Sequence, residues 1–181
     1  MITDHDRSGW IGASDVRYVV GNWKTKSFEK WWRVKLGLEE NNFSNEAMMA
    51  GTMYEHKILE EIRCPEMDKQ ILLPELRLRV NLDGNDDTTI YEVKTHRWDK
   101  EFKVPEHYKQ QVWVQMFASG LPKAEIVAYG LEPDDYKNYF REIDPHRLQH
   151  IPIEYDGAFI ARRFLPRLRT LAAALERGGW P

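Results

Sequence analysis

The sequence of 181 residues contains a single cysteine, Cys64. One cysteine excludes an internal disulfide framework and any zinc or iron–sulfur site built from four cysteines. Long apolar runs are missing too, since no stretch approaches the roughly 20 residues that span a bilayer. Residues 1–6 are acidic and lack the apolar stretch of a secretory signal. We therefore expect no membrane contact and a location in the cytoplasm of a cell or of an infected host.

A surplus of positive charge is also missing, because the formal net charge is −3. Proteins that bind nucleic acid are often basic, so the charge argues mildly against that partner. A site that gathers carboxylates for metal ions would lower the net charge locally, however, and the charge alone does not decide. A hydrophobic content of 42% and an aromatic content of 12% argue against a disordered chain. The length predicts one domain over residues 1–181.

Capping residues and apolar spacing predict an alternation of helices and strands. A short helix is expected between an N-cap at Ser14 or Asp15 and a stop at Gly21, and another begins at an N-cap at Ser27. The further predicted helices cover about residues 44–63, 105–119 and 157–177, the last with a kink or break at Pro166. The predicted strands cover about residues 71–82, 90–95, 124–130 and 136–143.

Charged side chains converge on two of these strands. Asp83 ends the strand 71–82 just before a turn, and Glu92 and Lys94 lie two residues apart on the next strand. Residues at this spacing project from the same face of a strand, while Tyr91 and Val93 point to the other face. Two carboxylates and an amine at one place predict a site for a hard cation with a positive group beside it.

Two helices carry further candidates. Glu55 falls on the apolar side of the helix 44–63, where a carboxylate must be paired, hydrogen-bonded or bound to metal; a buried Glu–Arg pair is the alternative. Gly51, one turn earlier, predicts that another element packs closely there. Tyr108, Gln111 and Gln115 share one face of the helix 105–119. This face suits contact with a polar ligand, although a solvated face has the same pattern.

A phosphate site is the alternative to a plain helix cap near the N-terminus. Ser14 opens a predicted helix and Arg7 precedes it. Helix N-termini bind anions, so the two residues could hold a phosphate. The simpler interpretation is that Ser14 only caps the helix.

Taken in order, these motifs resemble the PD-(D/E)XK nucleases, and most of all their phage-type exonuclease branch with lambda exonuclease and the YqaJ-like viral recombinases. The resemblance covers about residues 7–130 and rests on four segments: Arg7 with Ile11–Asp15, Gly51–Glu55, Asp83 with Glu92–Lys94, and Tyr108–Gln115. It implies a restriction-endonuclease-like α/β (α+β) core, in which helices flank a central mixed β-sheet. Leu82 stands where many members have proline before the aspartate, and the chain is short for the branch.

The resemblance implies a metal-dependent DNA exonuclease that processes ends of linear duplex DNA. Asp83, Glu92 and the Val93 carbonyl would bind Mg²⁺ or Mn²⁺, and Glu55 would serve a second ion. Lys94 would activate water, and Gln111 would position water or a phosphate oxygen. The resemblance implies four residues in contact with substrate. Arg7 and Ser14 would bind a terminal 5′-phosphate, and Tyr108 and Gln115 would be further substrate contacts.

Other functions remain open on the sequence alone. The same fold supports restriction-like or resolvase-like endonucleases and non-catalytic DNA-binding modules, and the carboxylates could instead form salt bridges in a metal-free protein. The resemblance also implies a single-strand annealing protein as a partner in recombination, and a homo-oligomer. Zinc binding by His146 and His150 would require these residues to lie on a helix.

Overall fold

The computed structural model describes residues 7–181. Residues 1–6, from which the absence of a secretory signal was inferred, lie outside the described residues. Within residues 7–181, no helix combines the length and the apolar character that crossing a bilayer requires.

In the described part of the chain, six α-helices and one π-helical segment pack around the sheet. The longest are α3 and α4, and both begin and end within two residues of the sequence prediction. The π-helical segment Ile160–Phe164 joins the last two α-helices, so the helix predicted over 157–177 is interrupted just before Pro166. The helices are α1 Val16–Val20, α2 Lys26–Lys35, α3 Glu46–Glu61, α4 Glu106–Ser119, α5 Gly157–Phe159 and α6 Leu165–Glu176.

The sheet is mixed, which confirms the predicted fold class. Its five strands between residues 7 and 181 follow one another in chain order. Among them only β3 and β4 run parallel, and the connection between these two contains α4. The strands are β1 Glu66–Leu73, β2 Leu78–Asn85, β3 Thr89–Arg97, β4 Lys123–Leu131 and β5 Leu148–Pro152.

Two strand predictions are wrong. The segment 71–82 is not one strand, because a 3-10 turn at Pro74–Leu76 divides it into the end of β1 and most of β2. The segment 136–143 is not a strand either. Asp135 there accepts hydrogen bonds from Arg141 and Arg147 at 2.8 and 2.6 Å, which ties the chain into a polar loop. The edge strand is β5 instead, and His150 lies on it, so no helix brings His150 beside His146.

The sheet packs between two hydrophobic clusters. Val127 and Tyr129 of β4 belong to a smaller cluster with α3, while Ile126 and Ala128 belong to a larger cluster with α1, α2, α4 and α6. Alternate residues of a strand point to opposite faces, so α3 covers one face and the other helices cover the opposite face. This arrangement brings α3 and α4 to the same sheet from its two sides.

The sheet opens between β2 and β3. Their ladder pairs Gly84 with Tyr91, and continuing this register would set Asp83 opposite Glu92. The Asp83 side chain takes the place of a backbone partner there, because the Val93 N–H donates to Asp83 Oδ2 at 2.9 Å. The strands therefore separate where the predicted carboxylates lie.

The N-terminal turn depends on a buried ion pair that the sequence did not reveal. Asp15 Oδ2 lies 2.7 Å from Lys35 Nζ, and Trp31 Nε1 donates to Asp15 Oδ1 at 2.9 Å. The Gly12 N–H donates to Asp15 Oδ2 at 2.8 Å. The 3-10 turn begins after Gly12, and α1 follows it directly. Asp15, one of the two predicted alternatives, holds the N-cap position of α1, although its side chain accepts no cap hydrogen bond from α1.

The start of α2 differs from the sequence prediction, whereas the close packing predicted for α3 agrees with it. The N-cap of α2 is Thr25, whose side chain accepts from the Phe28 N–H at 3.1 Å, and not Ser27 as predicted. The close approach predicted at Gly51 is confirmed, because a Cβ atom there would lie 3.2 Å from Thr95 Oγ1. This contact packs α3 against β3 one turn before Glu55.

Candidate active site

Strand β3 and helix α4 together hold a network of four polar side chains. Gln111 Nε2 donates to Glu92 Oε1 at 2.8 Å, and Gln115 Nε2 donates to Glu92 Oε2 at 2.8 Å. Lys94 Nζ donates to Gln111 Oε1 at 3.0 Å and lies 3.1 Å from Glu92 Oε1. Because Gln111 and Gln115 are one helical turn apart, a single face of α4 reaches both oxygens of the carboxylate. The network orients Glu92 and Lys94 relative to each other.

The ammonium group of Lys94 has an aromatic neighbour as well. Lys94 Nζ lies 4.3 Å from the centroid of the Tyr108 ring, a cation–π contact. Burial alone would lower the pKa of Lys94, but the carboxylates of Glu92 and Asp83 outweigh it and raise the pKa above its usual range. Lys94 is therefore charged near neutral pH and acts as a fixed positive group.

Three carboxyl groups crowd the opening of the sheet. Burial raises the pKa of Asp83 well above its usual range, and the charges of Glu92 and Glu55 raise it further. Burial also raises the pKa of Glu55, with added contributions from Glu92 and Asp68. One lysine cannot balance this concentration of negative charge in a partly buried place.

This donor set fits a divalent metal ion. Carboxylate oxygens are the ligands that Mg²⁺ and Mn²⁺ prefer, and one or two carboxylates suffice because Mg²⁺ keeps several waters. A cation here would also offset the mutual repulsion that raises the pKa of Asp83. The Val93 backbone adjoins Asp83 through its N–H, so its carbonyl belongs to the same part of β3.

Glu55 belongs to a cluster of possible metal ligands that the sequence motifs do not predict. Oxygen or nitrogen atoms of Glu55, His56 and Asp68 lie within 4.8 Å of one another, and His56 Nε2 is 2.8 Å from Asp68 Oδ2. His56 follows Glu55 on α3, and Asp68 lies where both side chains reach it. Asp68 has a positive φ of 59° and lies on β1 between Met67 and Lys69, which pair with Gly84 and Leu82 on either side of Asp83. The sequence of β1 has no alternation of apolar and polar residues, so neither the strand nor the position of Asp68 near Asp83 could be predicted.

The residues predicted to contact substrate differ in placement. Gln115 is only 1% exposed and is bound to Glu92, so its side chain supports the site from inside. Tyr108 is half-buried with its ring against Lys94. Arg7 and Ser14 are both exposed. Ser14 lies on the 3-10 turn that packs against α4 and β2, the elements that carry Gln111 and Asp83.

Comparison with solved structures identifies proteins of the same fold. An alkaline exonuclease, LHK-Exo from Laribacter hongkongensis, is similar with a TM-score of 0.71 and 24% identity over 94% of this chain and 90% of its own. Its complex with dAMP gives the same TM-score at 25% identity. The chain has the fold of the phage-type exonucleases. This confirms the resemblance and the restriction-endonuclease-like core inferred from the motifs.

A second exonuclease extends the comparison to lower identity. A phage-related exonuclease from Haemophilus somnus 129PT matches with a TM-score of 0.59 and 13% identity over 93% of this chain and 92% of its own. No protein-family model and no curated protein matches the sequence. The exonuclease fold thus extends over nearly the whole chain, including the C-terminal helices beyond the motifs.

Proposed function

We propose that this chain is a metal-dependent DNA exonuclease that hydrolyses phosphodiester bonds from the ends of linear duplex DNA. The observation that carries the proposal is the place of Asp83 and Glu92 beside a charged lysine, at the opening of a sheet with the exonuclease fold. An acidic cleft repels a phosphodiester unless cations are bound, so the carboxylates favour a metal-dependent reaction.

Asp83 and Glu92, with the Val93 carbonyl, would hold one Mg²⁺ or Mn²⁺ ion, and Glu55 would serve a second. Bound metal supplies charge neutralisation at the scissile phosphate and a water of lowered pKa. The protein's own contribution is to fix these ligands in place. The Val93 N–H orients Asp83, and the two glutamines of α4 orient Glu92.

Lys94 is the cationic member of the site. Its hydrogen bond to Gln111 and its position over the Tyr108 ring restrict the ammonium group to one place. A charge fixed before the reaction stabilises a developing oxyanion without reorganisation. Lys94 would thus orient the attacking water and stabilise the negative charge that develops on the phosphate. Gln111 would link Lys94 to Glu92.

The preference for DNA ends rests on a separate set of residues. Arg7 and Ser14 would bind a terminal 5′-phosphate, which favours cutting from an end over internal cutting. The solved complex of LHK-Exo with dAMP, a deoxynucleotide, supports a DNA substrate. A nuclease that processes DNA ends would act in recombination together with a single-strand annealing protein. It would also assemble into a homo-oligomer.

The test compares wild-type protein with Asp83→Ala and Lys94→Ala on linear duplex DNA in Mg²⁺ and in Mn²⁺. We expect either substitution to lower the rate by more than about a hundredfold, because each removes a charge that acts on the phosphate. Circular dichroism of both variants serves as the control for folding. Wild-type rates in a folded variant would contradict the assignment, and rapid cutting of covalently closed circular DNA would favour an endonuclease.

A further inference from the structure

Positive charge is concentrated on α1, α2 and the connection between them. Residues 16–34 contain five basic residues and one acidic residue, although the whole chain has a net charge of −3. We call the surface formed by these five cations the basic face: Arg17 on α1, Lys24 on the connection, and Lys26, Lys30 and Arg33 on α2. A local excess of cations on an acidic protein attracts an anionic partner.

The cations of α2 form a stripe on the side of the helix that faces solvent. Lys26, Lys30 and Arg33 are spaced by four and then three residues, so they share one side of the helix. All three are exposed, while Phe28 and Trp31 on the opposite side are buried in the core. The stripe is about 10 Å long, because a helix rises about 1.5 Å per residue. About three phosphates of one strand of a DNA duplex occupy this length along the duplex axis.

The protein itself leaves most of this charge unbalanced. Within residues 7–181, the basic face has one ion pair, in which Arg33 Nε lies 3.5 Å from Glu39 Oε2. The other four cations have no carboxylate within ion-pair distance in that part of the chain. Lys35 on the buried side of α2 differs, since its Nζ lies 2.7 Å from Asp15 Oδ2. Unpaired cations near one another repel each other, and an anionic partner relieves that repulsion.

A cavity of about 340 Å³ lies at the Arg17 end of the basic face. Arg17 Nη2 donates to the Tyr18 hydroxyl at 3.1 Å, and the guanidinium carbon lies 4.9 Å from the centroid of the Tyr18 ring. The Tyr18 ring stacks on buried Trp31 with the centroids 4.9 Å apart, so the core fixes the ring that supports Arg17. Among the described residues the lining is polar and contains no carboxylate: Arg17, Tyr18, Asn22, Thr25 and Ser27. A guanidinium with hydroxyl and amide groups around it suits a phosphate.

The basic face adjoins the candidate active site through α4. Helix α1 packs against α4, whose first turn carries His107 directly before Tyr108, the aromatic neighbour of Lys94. Burial lowers the pKa of His107, and the positive charges of Arg17 and Lys94 lower it further. Arg17 and Lys94 are therefore both close enough to act on one imidazole ring. A DNA strand that leaves the site has this positively charged surface beside it.

We propose that the basic face binds the sugar–phosphate backbone of duplex DNA beside the active site, with Arg17 holding one phosphate at the cavity and Lys26 and Lys30 contacting further phosphates. The inference rests on the proposed function, because it takes the substrate of that function as the ligand. Contacts to phosphates carry no sequence information and need no DNA end. In this respect the basic face differs from Arg7 and Ser14, whose proposed ligand is a terminal phosphate. The cations belong to the protein, so binding is also independent of metal.

The experiment measures the dissociation constant of a short, fluorescently labelled linear duplex by anisotropy, in chelator and over a series of KCl concentrations. Chelator prevents metal-dependent cleavage and removes the metal centre from the measurement. The variants are the double substitution Lys26→Gln with Lys30→Gln and the single substitution Arg17→Gln. Glutamine forms helices nearly as well as lysine and arginine, and all three side chains are exposed, so both variants should fold.

The matched control removes two exposed lysines from other parts of the surface, in the double substitution Lys123→Gln with Lys137→Gln. Lys123 begins β4. Lys137 follows the 3-10 turn Pro133–Tyr136, which packs against α3 on the opposite side of the sheet from α2. The control changes the net charge by the same amount as the Lys26 and Lys30 double variant, so a difference between them reports position and not total charge.

Each phosphate contact contributes about 0.9 to the slope of log K against log salt concentration. We therefore expect the slope to become shallower by about 2 in the Lys26 and Lys30 double variant and by about 1 in Arg17→Gln. At about 0.1 M KCl the double variant should bind the duplex at least about tenfold more weakly than wild type, and the control should keep the wild-type slope. Closed circular duplex should compete as well per base pair as linear duplex.

Three results would overturn the inference. The first is a wild-type protein that does not bind the duplex in chelator. The second is a slope in the Lys26 and Lys30 double variant that equals the slope of the control. The third is a failure of closed circular duplex to compete, which would show that binding requires an end. A wild type that binds phosphatidylserine vesicles but not the duplex would assign the basic face to a membrane surface, and it would overturn the inference as well.

The outcome separates this inference from the proposed function. If the wild type binds the duplex with the expected slopes but does not cleave it in Mg²⁺ or Mn²⁺, the proposed nuclease fails and the DNA-binding surface stands. If the wild type cleaves DNA while the Arg17, Lys26 and Lys30 variants bind it as wild type does, only the role of the basic face fails.

Discussion

Replacing Lys35 by methionine should be among the most destabilising single substitutions in this protein. Lys35 Nζ is 2.7 Å from Asp15 Oδ2, and the side chains are only 2% and 10% exposed. In the Lys35→Met variant, Asp15 would keep its hydrogen bonds from Trp31 and Gly12 but would lose its only charged partner among the described residues. The carboxylate would then be buried without a counter-charge.

The magnitude follows from that geometry. Removing one partner of a buried ion pair costs about 3–5 kcal/mol, since the remaining charge stays desolvated. For a chain of this length, each kcal/mol lowers the melting temperature by about 2–4 °C, so Lys35→Met should lower it by roughly 6–20 °C. The double variant Asp15→Asn with Lys35→Met removes both charges, and it should recover a large part of the loss.

Urea denaturation followed by tryptophan fluorescence is a suitable assay, because Trp31 binds Asp15 directly. Burial raises the pKa of Asp15, but Lys35 and the hydrogen bonds outweigh it and leave the pKa below its usual value. A carboxyl whose pKa falls on folding stabilises the fold above its ordinary pKa of about 3.9, and this contribution is lost as the pH drops through the folded-state value.

The difference in unfolding free energy between wild type and Lys35→Met should therefore be largest near pH 7 and shrink as the pH falls below about 4. If Lys35→Met lowers the free energy of unfolding by less than about 1 kcal/mol at pH 7, the view that it leaves the Asp15 carboxylate buried without a counter-charge is refuted. A double variant no more stable than Lys35→Met alone would refute the coupling between the two residues.

Three further predictions concern the site and its support. Arg7→Ala should abolish any preference for a 5′-phosphorylated over a 5′-hydroxyl duplex, and equal wild-type rates on both ends would refute the phosphate role. Tyr108→Leu should lower the cleavage rate several-fold by removing about 0.5–2 kcal/mol of cation–π attraction from Lys94, while Tyr108→Phe should stay near wild type. Gly84→Ala should cost about 1–3 kcal/mol in urea denaturation, because a Cβ there would lie 2.5 Å from Cys64 Sγ and 2.7 Å from Leu59 Cδ2; unchanged stability would show that these neighbours shift freely.

The most regular elements were predictable from the sequence. The proline at the start of helix α4 and Gly120 at its end predicted the helix, and the φ of 71° at Gly120 suits glycine. The pair Glu92 and Lys94 could be placed on one face from the two-residue period of a strand alone. This period depends only on the local backbone of the strand, so the prediction does not require knowledge of the tertiary contacts.

Contacts between distant segments were beyond the sequence. Strand β1 is half-exposed and charged, with no alternation to reveal it, so neither the hairpin nor the place of Asp68 was foreseen. Strand β5 was not foreseen either, because it is only five residues long and three of them are exposed. The Tyr/Gln face of α4 was predicted, but whether Gln115 meets substrate or Glu92 depends on how α4 docks on the sheet, which periodicity does not encode.

The most direct test of the account is the release of deoxynucleotides from uniformly labelled linear duplex DNA by wild type and by Glu92→Gln. Glutamine keeps the size of the side chain and removes the charge that would bind metal. We predict Mg²⁺-dependent release of mononucleotides by the wild type, its loss with chelator, and a fall of more than about a hundredfold in Glu92→Gln. Release by the wild type in chelator, or at wild-type rates by folded Glu92→Gln, would contradict the metal-dependent site.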